Sequence, residues 1–452
     1  MATCARRGED SRAIAYPLVH VLVINWNGKE HLEECFESLL AGDYPNARFV
    51  LVDNASDDGS VAFVQERFGA DPEVEILELA QNSGWSGGNN AGIERALADG
   101  AEYIFLLNND TTTDTKAIGQ LVKLAEEDAA IGALAPKILL YDHPFLLNSI
   151  GLDATDIGTA WDRGMGRVDG PKWGGHRPVV GVCGAAFFLR AEALRKTGLL
   201  PTDFEIYLDD LDLSLRVWNA GYEILTCPEA VVKHKFSSTM GQGARARRKY
   251  YLNTRNRMRL IERNYPTSKL GGILFRYAVG EAKAISRAML EGAFWRVWAH
   301  KRSWLDALIY LPRARAERRR REEEGLAECR FWDLLRTDIL FFPGIELPVD
   351  GWYTPISIDG ATVVPMSSEA HYDHKGGALE VTQMNPFPQL GPYLIRVLHD
   401  GEVVATLSGS ERRVTTLDLA KGRIEFRAET IFEAEQTGED FDIGGWLQLR
   451  DL

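Results

Sequence analysis

The sequence predicts an α/β protein: a Rossmann-like, doubly wound and mostly parallel sheet, followed by a helical region and a C-terminal β-sandwich. Three observations predict this class. Short apolar runs rich in Val, Ile and Leu alternate with segments of helical periodicity over residues 18–127. Turn-forming residues separate these segments, as they do in βαβ units. From about Phe341, short alternating segments are separated by Gly, Pro, Asn and Asp, which is typical of sandwich strands.

Composition excludes several other classes. The chain has 452 residues and a net charge of −14, and its 45% hydrophobic and 26% charged residues are ordinary globular values, unlike those of a disordered or fibrous protein. No uncharged apolar run reaches the roughly 18 residues of a spanning helix, and the first residues lack the pattern of a secretory signal. Scattered cysteines indicate reduced thiols in a cytoplasm. They are Cys4, Cys35, Cys183, Cys227 and Cys329.

The elements of the first half follow in order. Strands are predicted at residues 18–25, 49–52, 74–79 and 103–107, and helices at residues 30–40, 60–68, 90–98 and 115–127. Right-handed crossovers between such strands make an open doubly wound layer the simplest architecture. Farther on, residues 179–189 and 230–232 are predicted strands, and the Gly- and Trp-rich residues 158–175 are a predicted loop.

Residues 240–335 are predicted helices with a strongly basic composition. Between Arg245 and Arg330 there are 22 Lys and Arg against 9 Asp and Glu, although the whole chain is acidic. An acidic protein with one basic belt is a poor candidate for nucleic-acid binding, so no nucleic-acid partner is expected. The belt suits an anionic membrane surface or a phosphorylated acceptor. A solvated helical face is the alternative.

Polar, turn-forming residues follow all four strands of the first half. They occupy residues 25–28, 53–59, 81–90 and 108–111. In an open α/β sheet, ligands bind at the carboxyl ends of the strands, so these loops are expected to form one site. The Asp53 carboxylate can accept hydrogen bonds from a nucleobase or ribose. The glycines at 84, 87 and 88 let the backbone approach a phosphate beside a helix that starts near Asn89. Asp110 offers hard oxygen ligands to Mg²⁺ or Mn²⁺. Helix caps and plain turns are the alternatives.

An acidic cluster at residues 209–212 is the candidate for acid–base chemistry. On a helix, Asp212 and Arg216 form an i,i+4 ion pair, which leaves Asp210 pointing elsewhere as a possible base. Neighbouring carboxylates are expected to raise one another's pKa. An acidic helix start favoured by the helix dipole is the alternative. His234 follows a short apolar strand, and a lone His of this kind is more often structural than a metal ligand.

These motifs, in this order and spacing, resemble a family 2 glycosyltransferase with the nucleotide-binding fold called GT-A. The resemblance covers about residues 17–265 and is nearest to rhamnosyl- and galactofuranosyltransferases of bacterial surface polysaccharides. It implies a GT-A domain at residues 17–265, a basic helical region at 266–340 and a β-sandwich accessory domain at 341–452. Accessory domains of this kind bind glycan, orient the acceptor or form homo-oligomers, and the sequence does not choose among these roles.

The resemblance also implies roles for individual residues. Asp210 is the catalytic base with Asp209 beside it, and Asp110 and His234 hold Mn²⁺ or Mg²⁺. The implied donor-binding residues are Asn25, Asn27, Asp53, Asn82, Gly84, Gly87, Asn89, Asn108 and Asn109. Candidate acceptor contacts are Trp161, Trp173 and Asp212, with loop anchoring as the alternative for the two Trp residues. The chain departs from the family by Asn108 in place of an acid and by Asp209 where Glu is commoner.

The implied reaction is inverting transfer of a sugar from a UDP- or dTDP-sugar to a hydroxyl of a glycan or lipid-linked glycan. A cytoplasmic protein docked on the inner face of the membrane through its basic belt would suit such an acceptor. One alternative is a decayed, glycan-binding assembly protein. The other is a sugar-nucleotide pyrophosphorylase. Such an enzyme needs a Gly-rich loop with Arg and a Lys directly after the first strand. At that place this chain has Asn-Trp-Asn-Gly-Lys (residues 25–29), so the pyrophosphorylase fits less well.

Overall fold

The computed structural model describes residues 16–235, 244–327, 329–337, 356–358, 361–366, 369–385, 390–409, 413–432 and 445–451. Cys4 and residues 341–355, which open the predicted third domain, lie outside this part of the chain. The chain divides into two compact units. The first comprises residues 1–137, 151–160 and 175–337, and the second comprises residues 138–150, 161–174 and 338–452, each as far as it is described.

The helices and strands are numbered along the chain. The helices are α1 (Lys29–Leu40), α2 (Ser60–Phe68), α3 (Gly84–Ala98), α4 (Ala117–Glu127), α5 (Ala191–Thr197), α6 (Asp209–Asn219), α7 (Ala244–Asn264), α8 (Leu270–Leu290) and α9 (Phe294–Glu323). The strands are β1 (Val19–Asn25), β2 (Ala47–Asp53), β3 (Val74–Glu78), β4 (Tyr103–Asn108), β5 (Thr111–Thr113), β6 (Ile131–Leu140), β7 (Leu147–Ser149), β8 (Leu152–Ala154), β9 (Ala160–Asp162), β10 (Ala186–Arg190), β11 (Glu223–His234), β12 (Ile356–Ile358), β13 (Ala361–Met366), β14 (Glu369–His374), β15 (Gly377–Met384), β16 (Tyr393–His399), β17 (Glu402–Gly409), β18 (Arg413–Leu419), β19 (Gly422–Ala428) and β20 (Gly445–Asp451).

The first unit is built on one mixed sheet with the order β3-β2-β1-β4-β10-β6-β11-β5. The four strands β3, β2, β1 and β4 are parallel, whereas β10 runs antiparallel to both β4 and β6. Every residue of β1 is buried, which explains its nearly continuous apolar sequence. The predicted α/β class is confirmed, and the predicted strands and helices of residues 18–127 are all present.

Helix α3 starts earlier than predicted. The sequence places Gly84, Gly87 and Gly88 in a loop before a helix near Asn89, but α3 begins at Gly84. A Cβ at Gly88 would lie 2.4 Å from Ile24 Cδ1, so the missing side chain lets the helix pack closely on β1. Gly88 therefore serves helix–sheet packing, which local breaker signals cannot reveal. Two other boundaries also differ: β10 is shorter than predicted, and β11 extends well before residue 230.

The helices α7, α8 and α9 form the basic region. Helix α7 packs along α9, and α8 turns back onto α9 through residues 291–293. Inside this packing, His300 Nδ1 lies 2.6 Å from Glu281 Oε2, and the rings of Tyr277 and Trp304 lie 5.7 Å apart. Among the described residues, no helix has both the length and the apolar composition needed to cross a bilayer.

The C-terminal part of the second unit has two antiparallel sheets, with orders β12-β13-β20-β15-β18 and β14-β19-β16-β17. Buried side chains from both sheets share one core, among them Leu379 and Val381 of β15 and Ile395 and Val397 of β16. Alternate residues of these strands point inward, as the period of two requires. The predicted sandwich strands over residues 378–428 are confirmed.

Candidate active site

Three strand ends meet at one edge of the sheet, as predicted. Asn25 at the end of β1 pairs with Asp53 at the end of β2, and the neighbouring Ile24 pairs with Asn108 at the end of β4. The side-chain amide of Asn25 donates to Asp53 Oδ1 (3.0 Å), and that of Asn109 donates to Asn25 Oδ1 (2.6 Å). One polar network therefore joins residues from three strands.

Asp53 organises the loop after β2. Its side chain is almost fully buried, and Oδ2 accepts the backbone N–H of Ser56 (2.9 Å). Helix capping was the alternative role for Asp53, but Asp58 supplies that cap. Its Oδ1 accepts the N–H of Ser60 at the start of α2 (3.0 Å), and its Oδ2 accepts the N–H of Lys29 at the start of α1 (2.9 Å). Asp53 thus exposes little carboxylate surface, and Asp58, missed by the sequence analysis, joins two helix starts.

The loop after β1 places two exposed side chains at this edge. Asn27 has a φ of +52°, and its Oδ1 accepts the N–H of Asp57 (2.8 Å), which ties the first loop to the second. Trp26 is 59% exposed, although indoles are usually well buried. Trp26 is not among the predicted site residues, although a large apolar residue between two loop asparagines is a signal for such a position.

Asn54 and Asn82 hold the start of the Gly-rich segment. Asn82 Oδ1 accepts the N–H of Gly84 (2.8 Å) and the side-chain amide of Asn54 (3.1 Å). Asn89, by contrast, is fully buried within α3, where its amide donates to the Trp85 carbonyl oxygen (2.9 Å). Because α3 begins at Gly84, position 89 falls among the buried positions of the helix. The predicted donor contact of the Asn89 side chain is therefore not available in this structure.

Trp85 joins the end of β4 to helix α6. Its indole N–H donates to Asn108 Oδ1 (3.1 Å). Its ring fills the space beside Gly184, where an added Cβ would lie 2.9 Å from the ring. The backbone N–H of Gly184 in turn donates to Asp210 Oδ2 (2.9 Å). A short series of contacts thus connects the strand edge with the Asp210 carboxylate.

The two carboxylates that begin α6 have different environments. Asp209 is buried and accepts a hydrogen bond from Ser86 Oγ (2.5 Å), and burial raises its pKa. Asp210 is half-buried, and its Oδ1 accepts the N–H of Leu211 (2.8 Å). Asp210 is therefore the carboxylate that an incoming hydroxyl can reach, and Asp209 is tied to α3.

Asp212 has a structural role, which corrects its prediction as an acceptor contact. It is fully buried, with the predicted ion pair to Arg216 Nε (2.9 Å) and a hydrogen bond from Asn264 Nδ2 (2.7 Å). Burial alone would raise the pKa of Asp212, but the charges of Arg263, Arg216 and Arg321 hold it below its usual value. The expected rise in pKa is wrong for Asp212, because arginines surround this carboxylate, but the charge of Asp212 does contribute to the raised pKa of Asp209. Asp212 also has no exposed surface for an acceptor.

Asp110 and His234 lie together just after the end of β4, where β5 pairs with β11. Residue 234 ends β11 opposite Thr111 of β5, and His234 Nε2 lies 3.2 Å from Asp110 Oδ1. Both side chains are nearly buried. Burial alone would raise the pKa of Asp110, but the hydrogen bond and charge of His234 outweigh it, helped by the charge of His31, so this pKa lies below its usual value.

This pair has the chemistry of part of a metal site. A carboxylate suits both Mg²⁺ and Mn²⁺, and an imidazole favours the transition metal Mn²⁺. The described part of the chain holds no cluster of three or more His, Cys, Asp or Glu side chains that could bind a metal unaided. Two protein ligands fit a cation that keeps its other positions for substrate phosphates and water. Asn108, at the position of the missing acid, already accepts the Trp85 N–H.

A turn with unusual backbone angles leads into α6, and no local sequence pattern predicts it. Glu205, Tyr207 and Leu208 have φ values of +67°, +72° and +63°, which side chains other than Gly rarely adopt. The fully buried Asn256 of α7 directs its Nδ2 at three carbonyl oxygens of this turn (2.9–3.0 Å), and Arg255 donates to Glu205 Oε1 (2.8 Å). Helix α7 therefore stabilises a strained turn beside the two carboxylates.

Trp161 and Trp173 belong to the second unit. The Trp173 indole N–H donates to the Val168 carbonyl oxygen (3.0 Å), and Gly164 leaves room for the ring. Trp173 thus anchors its own loop, which was the alternative interpretation. Trp161 is half-buried in β9. An acceptor contact by either residue stays a prediction.

Comparisons with known proteins agree with the strand-end motifs. The family model described as glycosyl transferase family 2 matches residues 20–193. An N-acetylglucosaminyl-diphospho-decaprenol L-rhamnosyltransferase of Mycobacterium tuberculosis is 26% identical over 243 residues, which are 48% of this chain and 76% of that protein. Glycosyltransferase GlyG of Streptococcus pneumoniae is 30% identical over 118 residues, 25% of this chain and 38% of that protein.

Among solved structures, GalNAc-T7 with UDP, GalNAc and Mn²⁺ is similar with a TM-score of 0.48 and 15% identity, over 60% of this chain and 51% of that chain. The family match covers β1 to β10, the strands that carry the asparagine-rich edge and the Gly184 segment. The M. tuberculosis relative extends the likeness to about half of the chain. Residues 20–193 therefore match glycosyl transferase family 2, and over about half of its length the chain is similar to the rhamnosyltransferase of M. tuberculosis.

Proposed function

We propose that this protein is an inverting, metal-dependent glycosyltransferase. It transfers a sugar such as rhamnose or galactofuranose from a UDP- or dTDP-donor to a hydroxyl of a lipid-linked bacterial surface glycan. The observation that carries the proposal is the position of Asp210. This half-exposed carboxylate is connected through Gly184 and Trp85 to the asparagine-rich strand edge. The decaprenol-linked substrate in the name of the M. tuberculosis relative supports the acceptor class.

The donor binds at the edge formed by the loops after β1 to β4. Exposed Trp26 offers an apolar face to a nucleobase, and Asn27 and Asn82 offer amides beside it. The buried Asn25 and Asp53 support this edge from beneath. Asp110 and His234 hold a divalent cation, which supplies positive charge to the leaving diphosphate when bound. Mn²⁺ is preferred over Mg²⁺ because one ligand is an imidazole.

Asp210 acts as the general base. Its carboxylate takes the proton of the acceptor hydroxyl while the hydroxyl oxygen bonds to the anomeric carbon and the nucleoside diphosphate leaves with the electron pair of the broken bond. A single displacement of this kind inverts the anomeric configuration. Asp209, which is buried and bonded to Ser86, positions the start of α6 instead of exchanging protons with substrate.

Residues 17–265 carry the transfer, residues 266–340 contact the inner face of the cell membrane from the cytoplasm, and residues 341–452 contact glycan or a second copy of the chain. The basic composition of α8 and α9 supports the second assignment, because the cytoplasmic leaflet is anionic. The sandwich core of the C-terminal strands supports an accessory unit with its own packing.

The test is product analysis. The protein is incubated with Mn²⁺, a polyprenyl-diphosphate-linked N-acetylglucosamine and a panel of UDP- and dTDP-sugars. We expect nucleoside diphosphate release with one donor and a product of inverted anomeric configuration by NMR. Retained configuration would contradict the mechanism. Pyrophosphate formation from a sugar phosphate and a nucleoside triphosphate would favour the pyrophosphorylase, and glycan binding without turnover would favour the decayed transferase.

A further inference from the structure

The α8–α9 hairpin carries most of the exposed apolar surface of the described residues. Ten of the fifteen large apolar side chains that are exposed lie on these two helices. We call the apolar face the set formed by Phe275, Leu290, Phe294, Trp298, Leu308 and Ile309. Leu290 is 90% and Trp298 is 72% exposed. A concentration of this kind marks an interaction surface, because scattered single residues are the norm on a monomer.

Helical geometry explains why the exposed apolar residues of α9 share one side of that helix. On α9, Trp298 follows Phe294 by four residues and Leu308 follows it by fourteen, and at about 100° per residue both lie within about 40° of Phe294 around the helix. The opposite sides of both helices are buried against each other through the Glu281–His300 pair. The apolar face is therefore the outer surface of a packed hairpin and does not belong to its core.

Cations accompany the apolar face, and the nearby acids are engaged. Lys283 and Arg287 on α8 and Lys301, Arg315 and Arg319 on α9 are exposed. The four acids between residues 270 and 320 all have partners: Glu281 with His300, Glu291 with Arg287 and Arg296, Asp306 with Tyr251, and Glu317 with Arg263 and Arg313. Glu322 and Glu323 add two exposed acids at the end of α9, but residues 270–323 still hold 12 Lys and Arg against 6 Asp and Glu, so the hairpin is positive in a chain whose net charge is −14.

We propose that the outer side of the α8–α9 hairpin docks on an anionic phospholipid surface, with the apolar face inserted at the boundary between headgroups and acyl chains and the exposed cations among the phosphates. Helices that combine large apolar residues with Lys and Arg bind membranes in this way. Charge complementarity selects this occupant, because an anionic lipid surface satisfies both the apolar and the basic residues. The inference deepens the membrane contact of the proposed function by assigning it to particular side chains.

The test uses the full chain and flotation with vesicles of phosphatidylcholine alone or mixed with phosphatidylglycerol. We expect binding to the mixed vesicles that weakens as salt is added. The variant L290S/F294S/W298S should lose about tenfold or more in partitioning. Neutralising Lys283, Lys301 and Arg319 to Gln should cost about fivefold per charge.

A matched control replaces exposed apolar residues elsewhere. The variant V403S/V404S/V414S removes three exposed valines of the C-terminal strands and should leave vesicle binding unchanged. Equal binding of the α8–α9 variants and wild type, or equal binding to phosphatidylcholine alone, would overturn the inference. A second result would also overturn the inference: the wild type does not float with vesicles but forms a dimer in analytical ultracentrifugation, and L290S/F294S/W298S abolishes that dimer. A second copy of the chain would then cover the apolar face.

Nucleotide binding and sugar transfer to a short, water-soluble acceptor, measured without vesicles, separate this inference from the proposed function. We expect both to be unchanged in L290S/F294S/W298S, since none of the three residues belongs to the candidate active site. Transfer without vesicle binding would refute the membrane surface alone. Vesicle binding without transfer by the wild type would refute the proposed function alone.

Discussion

Replacing Asp210 by Asn removes one negative charge and keeps the size of the side chain. The carboxylate accepts two backbone hydrogen bonds, one from Gly184 and one from Leu211. The amide of Asn retains a single acceptor oxygen, so one of these N–H groups loses its protein partner. Asp210 is half-buried, which lets water take over that bond. We therefore expect a stability loss of only ~1 kcal/mol, at the low end for a lost acceptor.

The same substitution should nearly abolish turnover. A positioned general base contributes about 10²–10⁴ in rate, which corresponds to ~2.7–5.4 kcal/mol of barrier at about 1.36 kcal/mol per tenfold. Nucleotide binding should change little, since Asp210 is connected to the donor edge through Gly184 and Trp85 and does not itself lie on one of its loops.

Three measurements on one preparation distinguish these effects: kcat from nucleoside diphosphate release, Kd for the nucleotide with Mn²⁺, and the melting temperature. Asp418→Asn is the matched control, because it makes the same chemical change at an exposed position of β18. Turnover within about tenfold of the wild type in Asp210→Asn would refute the assignment of the base. A large fall in melting temperature would refute the view that Asp210 is functional and not structural.

Three further outcomes follow from the packing around the site. Asp212→Asn should destabilise the protein by about 3–5 kcal/mol in chemical denaturation, because it leaves Arg216 buried without its charge partner. Asn256→Ala should lower kcat by about 10–10² with nucleotide Kd unchanged, because the strained turn before α6 loses its donor. Glu262→Gln should stabilise the protein at pH 8.5 by up to ~3 kcal/mol and have no effect at pH 4.5.

The sign for Glu262 follows from burial, which raises its pKa to about 7 from an ordinary 4.5 in spite of nearby arginines. The folded state then binds a proton that the unfolded state has released, so wild-type stability falls as pH rises from 4.5 through 7. A pH-independent difference between wild type and Glu262→Gln would contradict this. If Asp212→Asn were as stable as the wild type, the ion pair with Arg216 would be dispensable for stability. If Asn256→Ala kept the kcat of the wild type, the hydrogen bonds of Asn256 to the turn would be dispensable for catalysis.

The alternation of apolar strand segments with helical segments predicted residues 18–127 well, because strand burial and helix periodicity are local properties of the sequence. The four parallel strands and the polar residues at their ends appear where the sequence places them. The start of α3 was not predictable in this way. Gly88 lies in the helix because Ile24, more than sixty residues earlier, leaves no room for a side chain. Only the packed sheet reveals that requirement.

The candidate site shows the same limit. The types of residue at Asp110, Asp210 and His234 were recognisable from motifs, and the structure brings Asp110 and His234 together. The residues that position the carboxylates of Asp209 and Asp210 were not recognisable from motifs, because their partners lie far away in sequence. Asn256 acts on a turn about fifty residues before it. Ser86 bonds to Asp209 across 123 residues, and no local spacing records such a contact.

The proposed transferase requires a nucleotide site that depends on the metal held by Asp110 and His234. UDP, dTDP, GDP and CDP are added to the wild type and to Asp110→Asn, each with and without Mn²⁺, and unfolding free energies are compared. We predict that UDP or dTDP at about 100 times its Kd stabilises the wild type by ~2.7 kcal/mol only when Mn²⁺ is present, and that Asp110→Asn loses this effect. Stabilisation by no nucleotide, or by one that is indifferent to Mn²⁺ and to Asp110, would contradict the account.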